Sequence, residues 1–136
     1  MLLLIDDNLT ISEVQDKFSD SYPGLKLMFY NNEPRDRERV ESDFISDDHV
    51  RIGTIRKDHH SGELQIFSWL TVREVEKAFR KDFGLHVRMF RNELNQWIPV
   101  TQTGKYSLRK QQEFSQNAAV SIDPVVEEQL EEYGYL

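Results

Sequence analysis

Leu9-Thr10-Ile11-Ser12-Glu13-Val14 and Leu70-Thr71-Val72-Arg73-Glu74-Val75 are one phrase written twice, about sixty residues apart. The match continues through Phe18 with Phe79 and Tyr22 with Phe83. After one inserted residue, Pro23, it resumes as Gly24-Leu25 with Gly84-Leu85, and it closes on Asn32-Glu33 with Asn92-Glu93. Upstream, Leu3 and Ile5 fall on Leu64 and Ile66. The period is too long for a solenoid repeat and reads as a duplicated half-domain.

Each copy carries the physics of a helix start. Thr10 with Glu13, and Thr71 with Glu74, have the capping-box spacing: the hydroxyl accepts from the third helical amide while the carboxylate reaches back to the cap amide. Leu9 with Val14 and Leu70 with Val75 stand at the hydrophobic-staple positions. The stripes Ile11, Val14, Phe18, Tyr22 and Val72, Val75, Phe79, Phe83 each give one buried helix face. Gly24 and Gly84 are expected to end the helices in the left-handed conformation. Short apolar strands precede the helices at Leu2–Ile5 and Glu63–Phe67, and follow them at Leu25–Tyr30 and Leu85–Phe90.

The order β-α-β, connection, β-α-β predicts an α+β fold. Its simplest form is a ferredoxin-like antiparallel sheet with both helices on one face. Tandem β-grasp-like modules are the alternative. A turn over Asn92–Gln96 leads to a fifth strand, Trp97–Thr101, with Pro99 marking an edge. A helix from Ser107 to Ala118 follows, and Val50–Lys57 is its expected counterpart in the first unit. One domain thus spans residues 1–120, with repeat one at 1–57 and repeat two at 63–118. Asn31–Asp48, with Pro34 and a run of alternating charge, reads as a surface loop. Residues 121–136 read as an acidic tail or short helix, with Asp123-Pro124 as cap and first turn and Val125, Val126, Leu130 and Tyr133 as its apolar side.

The elements TVREVEKAFRKDFGLHVRMF (71–90) and VRIGTIRKDHHSGELQIF (50–67) resemble a group of small bacterial proteins with a duplicated strand–helix–strand unit and no assigned function. The resemblance covers roughly residues 50–115. It implies a duplication and a bacterial setting, and it transfers no catalytic motif.

Composition narrows the function classes. The chain has 136 residues, 38% of them apolar, enough for one core. It has no cysteine, which excludes disulfides and thiolate metal sites. The apolar run Leu2–Ile5 is ended by Asp6 and Asp7, too short for a signal-peptide core or a membrane span. A cytoplasmic protein without membrane contact is the expectation. Net charge is −7 but uneven. Residues 1–70 carry 8 basic and 14 acidic side chains, residues 71–113 carry 9 and 5, and residues 114–136 carry none and 5.

Several constellations invite a chemical reading. LLLIDDN looks like the first strand of a response-regulator receiver, where paired acids hold Mg²⁺. That reading needs a phosphoacceptor Asp after a buried third strand. FISDD (44–48) is too short and polar for it, so a pair of solvated acids is the better account. His49, Asp58, His59 and His60 offer metal-ligating groups. Neighbouring strand residues face opposite ways, and no helical HxxxH spacing exists, so a polar hairpin tip is the better account. No G-x-S-x-G elbow or phosphate-cradling glycine loop is present. No catalytic residue, cofactor or metal site is therefore assigned.

The sharpest positive feature is basic. Arg73, Lys77, Arg80 and Lys81 lie on the second helix opposite its apolar stripe, with Arg88 and Arg91 on the strand after it. Phe90, Trp97 and Tyr106 are near in sequence, and basic charge beside stacking surface suits single-stranded nucleic acid. The acidic tail is expected either to visit this basic face or to stay a disordered, solubilising tail. The first expectation for function is a non-enzymatic protein-interaction or adaptor domain with a protein partner that the sequence does not name. Nucleic-acid binding through Arg73, Lys77, Arg80, Lys81, Arg88 and Arg91 comes second, and an enzyme third. Composition does not fix the oligomeric state.

Overall fold

The computed structural model describes residues 1–31 and 44–120, with side chains to residue 118. The interior of the charged 31–48 stretch and the tail expected at 121–136 lie outside the described residues. The elements run β1 (Leu2–Ile5), α1 (Ile11–Ser21), β2 (Leu25–Tyr30), a 3₁₀ turn (Ile52–Thr54), β3 (Gly62–Gln65), α2 (Val72–Phe83), β4 (His86–Glu93), β5 (Gln96–Pro99) and α3 (Leu108–Val120). The fold is α+β, with three α-helices and two small antiparallel sheets among the described residues.

Both capping boxes form. Thr10 Oγ1 accepts from the Glu13 amide at 3.1 Å, and Glu13 Oε1 accepts from the Thr10 amide at 3.1 Å. Thr71 and Glu74 repeat both bonds at 3.1 Å. Ile11, Val14 and Phe18 of α1 and Val72, Val75, Phe79 and Phe83 of α2 are buried. The helices end differently. Gly84 takes the expected left-handed conformation, φ 62°. Gly24 does not: α1 stops at Ser21, and Tyr22 turns extended (φ −131°, ψ 75°) because the residue before Pro23 is pushed out of the helical region. Gly24 instead permits close approach, since a Cβ there would lie 2.9 Å from Ser115 Oγ of α3.

β1 pairs with β3, while β2, β4 and β5 form a second sheet in that order. The expected single ferredoxin-like sheet is not what the hydrogen bonds make. That sheet would need a strand free to flank β1, and β4 spends its two edges on β2 and β5. Separate grasp-like modules do not describe the pairing either, because the ladders β1–β3 and β2–β4 both join one unit to the other.

The registers carry more. Leu3 stands opposite Leu64, and Met28 opposite Arg88. These are the residues that the sequence repeat aligns. Antiparallel pairing of equivalent residues places a twofold axis through each ladder. The same relation governs the loops. Ile52 N–H donates to Leu9 O at 2.8 Å, as Leu108 N–H does to Leu70 O at 2.9 Å. Ile11 N–H donates to Val50 O and Ser12 N–H to Asp48 O, as Val72 N–H does to Tyr106 O and Arg73 N–H to Gly104 O. The 3₁₀ turn therefore occupies the place in the first unit that the start of α3 occupies in the second. VRIGTIRK is the short form of that helix.

The β4–β5 hairpin turns on Leu94 (φ 54°) and Asn95 (φ 65°), the two positive φ values that a tight hairpin needs. The core gathers Leu3, Ile5, Leu25, Leu27, Phe29 and Ile66 with the two helix stripes. Phe29 meets Phe79 edge-on at 6.3 Å, which ties β2 of the first unit to α2 of the second.

Phe18→Ala and Phe79→Ala should each destabilise by about 3–5 kcal/mol, since both rings are wholly buried. Thr10→Ala and Thr71→Ala should each lose about 0.5–2 kcal/mol. Chemical denaturation measures both pairs. A cap variant with the parent's midpoint would show that its box contributes nothing.

Candidate functional site

Among the described residues, three regions gather polar and exposed chemistry. The first is basic. Every third or fourth residue of α2 returns to one face, so Arg73, Lys77 and Arg80 line up opposite the buried stripe. With Arg88 of β4 and Thr101 and Gln102 beyond β5, they border an open groove of about 850 Å³. Four of the six basic residues singled out in the sequence thus come together. Lys81 is exposed on α2 but is not among the groove's lining residues.

Arg91 is a correction. It is buried, it donates to Glu93 Oε1 through Nε at 2.9 Å and Nη2 at 2.6 Å, and its Nη1 donates to Gln111 Oε1 at 2.6 Å. Its guanidinium also lies 5.0 Å from the Phe114 ring centre. Arg91 fastens β4 to α3, and sequence alone did not show that the strand turns it inward.

Glu76 sits in the wall of the groove. Its carboxylate accepts from Arg88 Nη1 at 3.1 Å and from the Met89 amide at 3.0 Å. Burial pushes its pKa above the ordinary carboxylate range, and the pull of Arg88 and the Met89 amide does not fully offset that. Part of the groove's positive charge is therefore answered from within.

The second region surrounds Arg56, whose side chain is wholly enclosed. Its Nε donates to Asp7 Oδ1 at 2.9 Å, and its Nη1 donates to the carbonyls of His60 at 2.7 Å and Phe83 at 2.9 Å. Nη2 makes a 2.7 Å ion-pair contact with Asp7 Oδ1 at an angle unsuited to a hydrogen bond. Arg56 thus closes the carbonyl end of α2 from the opposite unit. Asp7 also meets His59 Nδ1 at 2.9 Å. Hydrogen bonding to Arg56 lowers the Asp7 pKa, with smaller help from His59. The acid pair of LLLIDDN is accordingly split: Asp6 accepts from the Asn8 amide, and Asp7 holds Arg56. A cavity of about 510 Å³ nearby is lined by Thr54, Arg56, Asp58 and His86 among others, and by neither Asp7 nor His59. Among the described residues, no group of three or more His, Asp or Glu could hold a metal ion.

The third region is apolar. Along β1, Leu3 and Ile5 point into the core, so Leu2 and Leu4 point out, 53% and 51% exposed. On the partner strand Leu64 and Ile66 point in, and Phe67, beyond the strand's end, is 40% exposed. Leu2 stands opposite Gln65, which makes Phe67 its diagonal neighbour on the outer face. Trp69, 67% exposed, stacks on Phe67 with ring centres 4.4 Å apart and planes 9° apart. Leu4, Leu2, Phe67 and Trp69 form one exposed apolar row. The sequence reading did not single out this row. A signal was present: the repeat aligns Leu2 and Leu4 with Glu63 and Gln65, and polar residues at those positions mark an outward face.

No family model matches the chain, and no curated protein or solved structure is significantly similar to it. Among the described residues, no helix is long and apolar enough to cross a membrane.

The two perturbed carboxyls predict opposite pH effects. Glu76 has a raised folded-state pKa, so its contribution to stability is most favourable when protonated. That contribution falls as pH rises from the ordinary carboxylate range through the raised value. Asp7 has a lowered one, so its contribution is full above the ordinary range and is lost as pH falls through the depressed value. In denaturation series across pH, Glu76→Gln should flatten the decline on the high side and Asp7→Asn the loss on the acid side. Parent-like slopes in both variants would contradict these assignments.

Proposed function

We propose that the chain is a non-enzymatic protein-interaction or adaptor module of the bacterial cytoplasm, and that the outer face of the β1–β3 ladder is its docking surface. The exposed row of Leu4, Leu2, Phe67 and Trp69 carries this reading. Exposed apolar residues scattered singly are ordinary, but a contiguous row ending in a stacked aromatic pair is the composition of an interface centre. Polar neighbours rim the row, with Glu63 and Gln65 on the same face of β3. We infer further that the two units descend from one duplicated half-domain. The shared caps and the pairing of equivalent strands support this descent, and the resemblance of residues 50–67 and 71–90 to a bacterial group belongs with it.

A second reading has its own observation: Arg73, Lys77, Arg80 and Arg88 converge on one groove. A nucleic-acid module would use it through phosphate contacts, with affinity falling steeply as salt rises. The commitment of Arg88 to Glu76 favours the first reading, because it leaves that guanidinium partly neutralised.

A photo-crosslinking residue at Leu4 should give a discrete adduct with a different protein in cells. The purified partner should bind the parent chain and lose about tenfold or more in affinity with Trp69→Ala. An adduct pattern no different from that of a crosslinker at exposed Gln116 would overturn the docking surface. For the second reading, oligonucleotide affinity that is insensitive to salt or to Lys77→Ala would exclude the groove.

A further inference from the structure

We propose that the outer edge of β1 pairs antiparallel with the same edge of a second copy of this chain, joining two ladders into one sheet ordered β3-β1-β1-β3. The proposal rests on the reading of this region as a protein-interaction surface and names its first occupant.

The backbone argument comes first. Met1 and Ile66 exchange both N–H···O bonds, each 2.8 Å. Hydrogen-bonded pairs alternate in an antiparallel ladder, so Leu3 with Leu64 and Ile5 with Gly62 are the next such pairs. The N–H and C=O groups of Leu2 and Leu4 therefore point away from β3. Among the described residues β1 has no other strand beside it. These groups form an open template for another strand.

The internal twofold supplies a control. The outer edge of β3 is the equivalent of the outer edge of β1, yet the two are built differently. Edges are usually guarded by charged or polar side chains. β3 carries Glu63 and Gln65 at the positions where β1 carries Leu2 and Leu4, so one of two equivalent edges is guarded and the other is not.

The edge is also self-complementary. A groove of about 370 Å³ runs along it, lined by Leu2, Leu3 and Leu4, by Glu63 of β3, and by Leu9, Glu13 and Lys17 from the α1 side. Glu13 and Lys17 are one helical turn apart, about 6 Å along α1. A twofold axis at Leu3 would pair Leu3 with Leu3 and Leu2 with Leu4 of the other copy. It would also reverse the helix direction, bringing Glu13 of each copy toward Lys17 of the other. Lys17 has no ion-pair partner among the described residues, and the strand LLLI brings no charge that would repel its copy. Such an interface is isologous and closed. It would double the apolar face, with four leucines at its centre and a Phe67–Trp69 stack at each end.

Sedimentation of the full chain from about 1 to about 200 µM tests this. A monomer–dimer equilibrium is expected. Leu4→Lys should weaken it at least about tenfold, and Lys17→Glu should weaken it by placing like charges together. Adding Glu13→Gln to Lys17→Glu should recover much of the loss, because the amide keeps the capping acceptor while removing the repulsion. All three altered side chains, Leu4, Glu13 and Lys17, are exposed, and parent-like thermal unfolding confirms the fold of each variant. A chain that stays monomeric throughout, or a dimer unaffected by Leu4→Lys and Lys17→Glu, overturns the proposal. The two readings fail separately: a monomer that still forms a heterologous adduct at Leu4 sinks the dimer alone, whereas a dimer whose adduct is only with itself sinks the adaptor reading alone.

Discussion

The pairing of each strand with its own counterpart is the constraint on which the rest of the structure depends. A single β-α-β unit of this size cannot bury its helix stripe, because two short strands cover too little of it. Setting Leu3 against Leu64 and Met28 against Arg88 solves this for both units at once. Each helix packs mainly on strands of its own unit, and the contact of Phe29 with Phe79 joins β2 of the first unit to α2 of the second. The last part of each unit crosses over as well. Arg56 reaches the carbonyl of Phe83, and Gln112 of α3 accepts from the amide of Gly24. Neither half is complete without the segment that the other lends it.

Local features were legible in the sequence because local physics decides them. Both helix starts follow from a Thr and a Glu three residues apart, and the buried stripes follow from spacing. The sheet was not legible, since nothing in the spacing of β-α-β says which strand will flank which. A ferredoxin-like order and the observed pairing use the same elements with the same faces buried. The discriminating fact was that β4 continues into a hairpin through Leu94 and Asn95 and so uses its second edge on β5. Gly24 misled for a different reason. Its alignment with Gly84 is real, but the inserted Pro23 changes how the helix ends, and the glycine serves the approach of Ser115 instead.

The candidate sites were half legible. Periodicity on α2 located Arg73, Lys77 and Arg80 on one face, and Arg88, also named from the sequence, joins them at the groove. It could not show that Arg91, three residues after Arg88 on the same strand, turns inward to Glu93 and Gln111. Alternation along an eight-residue strand reverses the fate of neighbouring arginines, and its phase follows from the register, which is a tertiary fact.

Equivalent positions that differ show where the shared architecture leaves the chemistry open. Gln15 of α1 and Glu76 of α2 are such a pair, and so are Met28 and Arg88. In the first unit Gln15 Nε2 donates to the Leu27 carbonyl at 2.8 Å and lies 3.9 Å from the Met28 sulfur. In the second, Glu76 accepts from the Met89 amide and from Arg88. One architectural contact between helix and strand is therefore made twice, once neutral and once as an ion pair, and both partners change together. The scaffold accommodates either version, so the architecture alone does not require the charge on the second unit. The same logic applies to β1 and β3, whose inner residues match while their outer residues divide into leucines on one strand and Glu63 and Gln65 on the other. A fold held by symmetric pairing exposes two versions of each surface, and a surface that keeps its chemistry in one version only is the place to look for a partner.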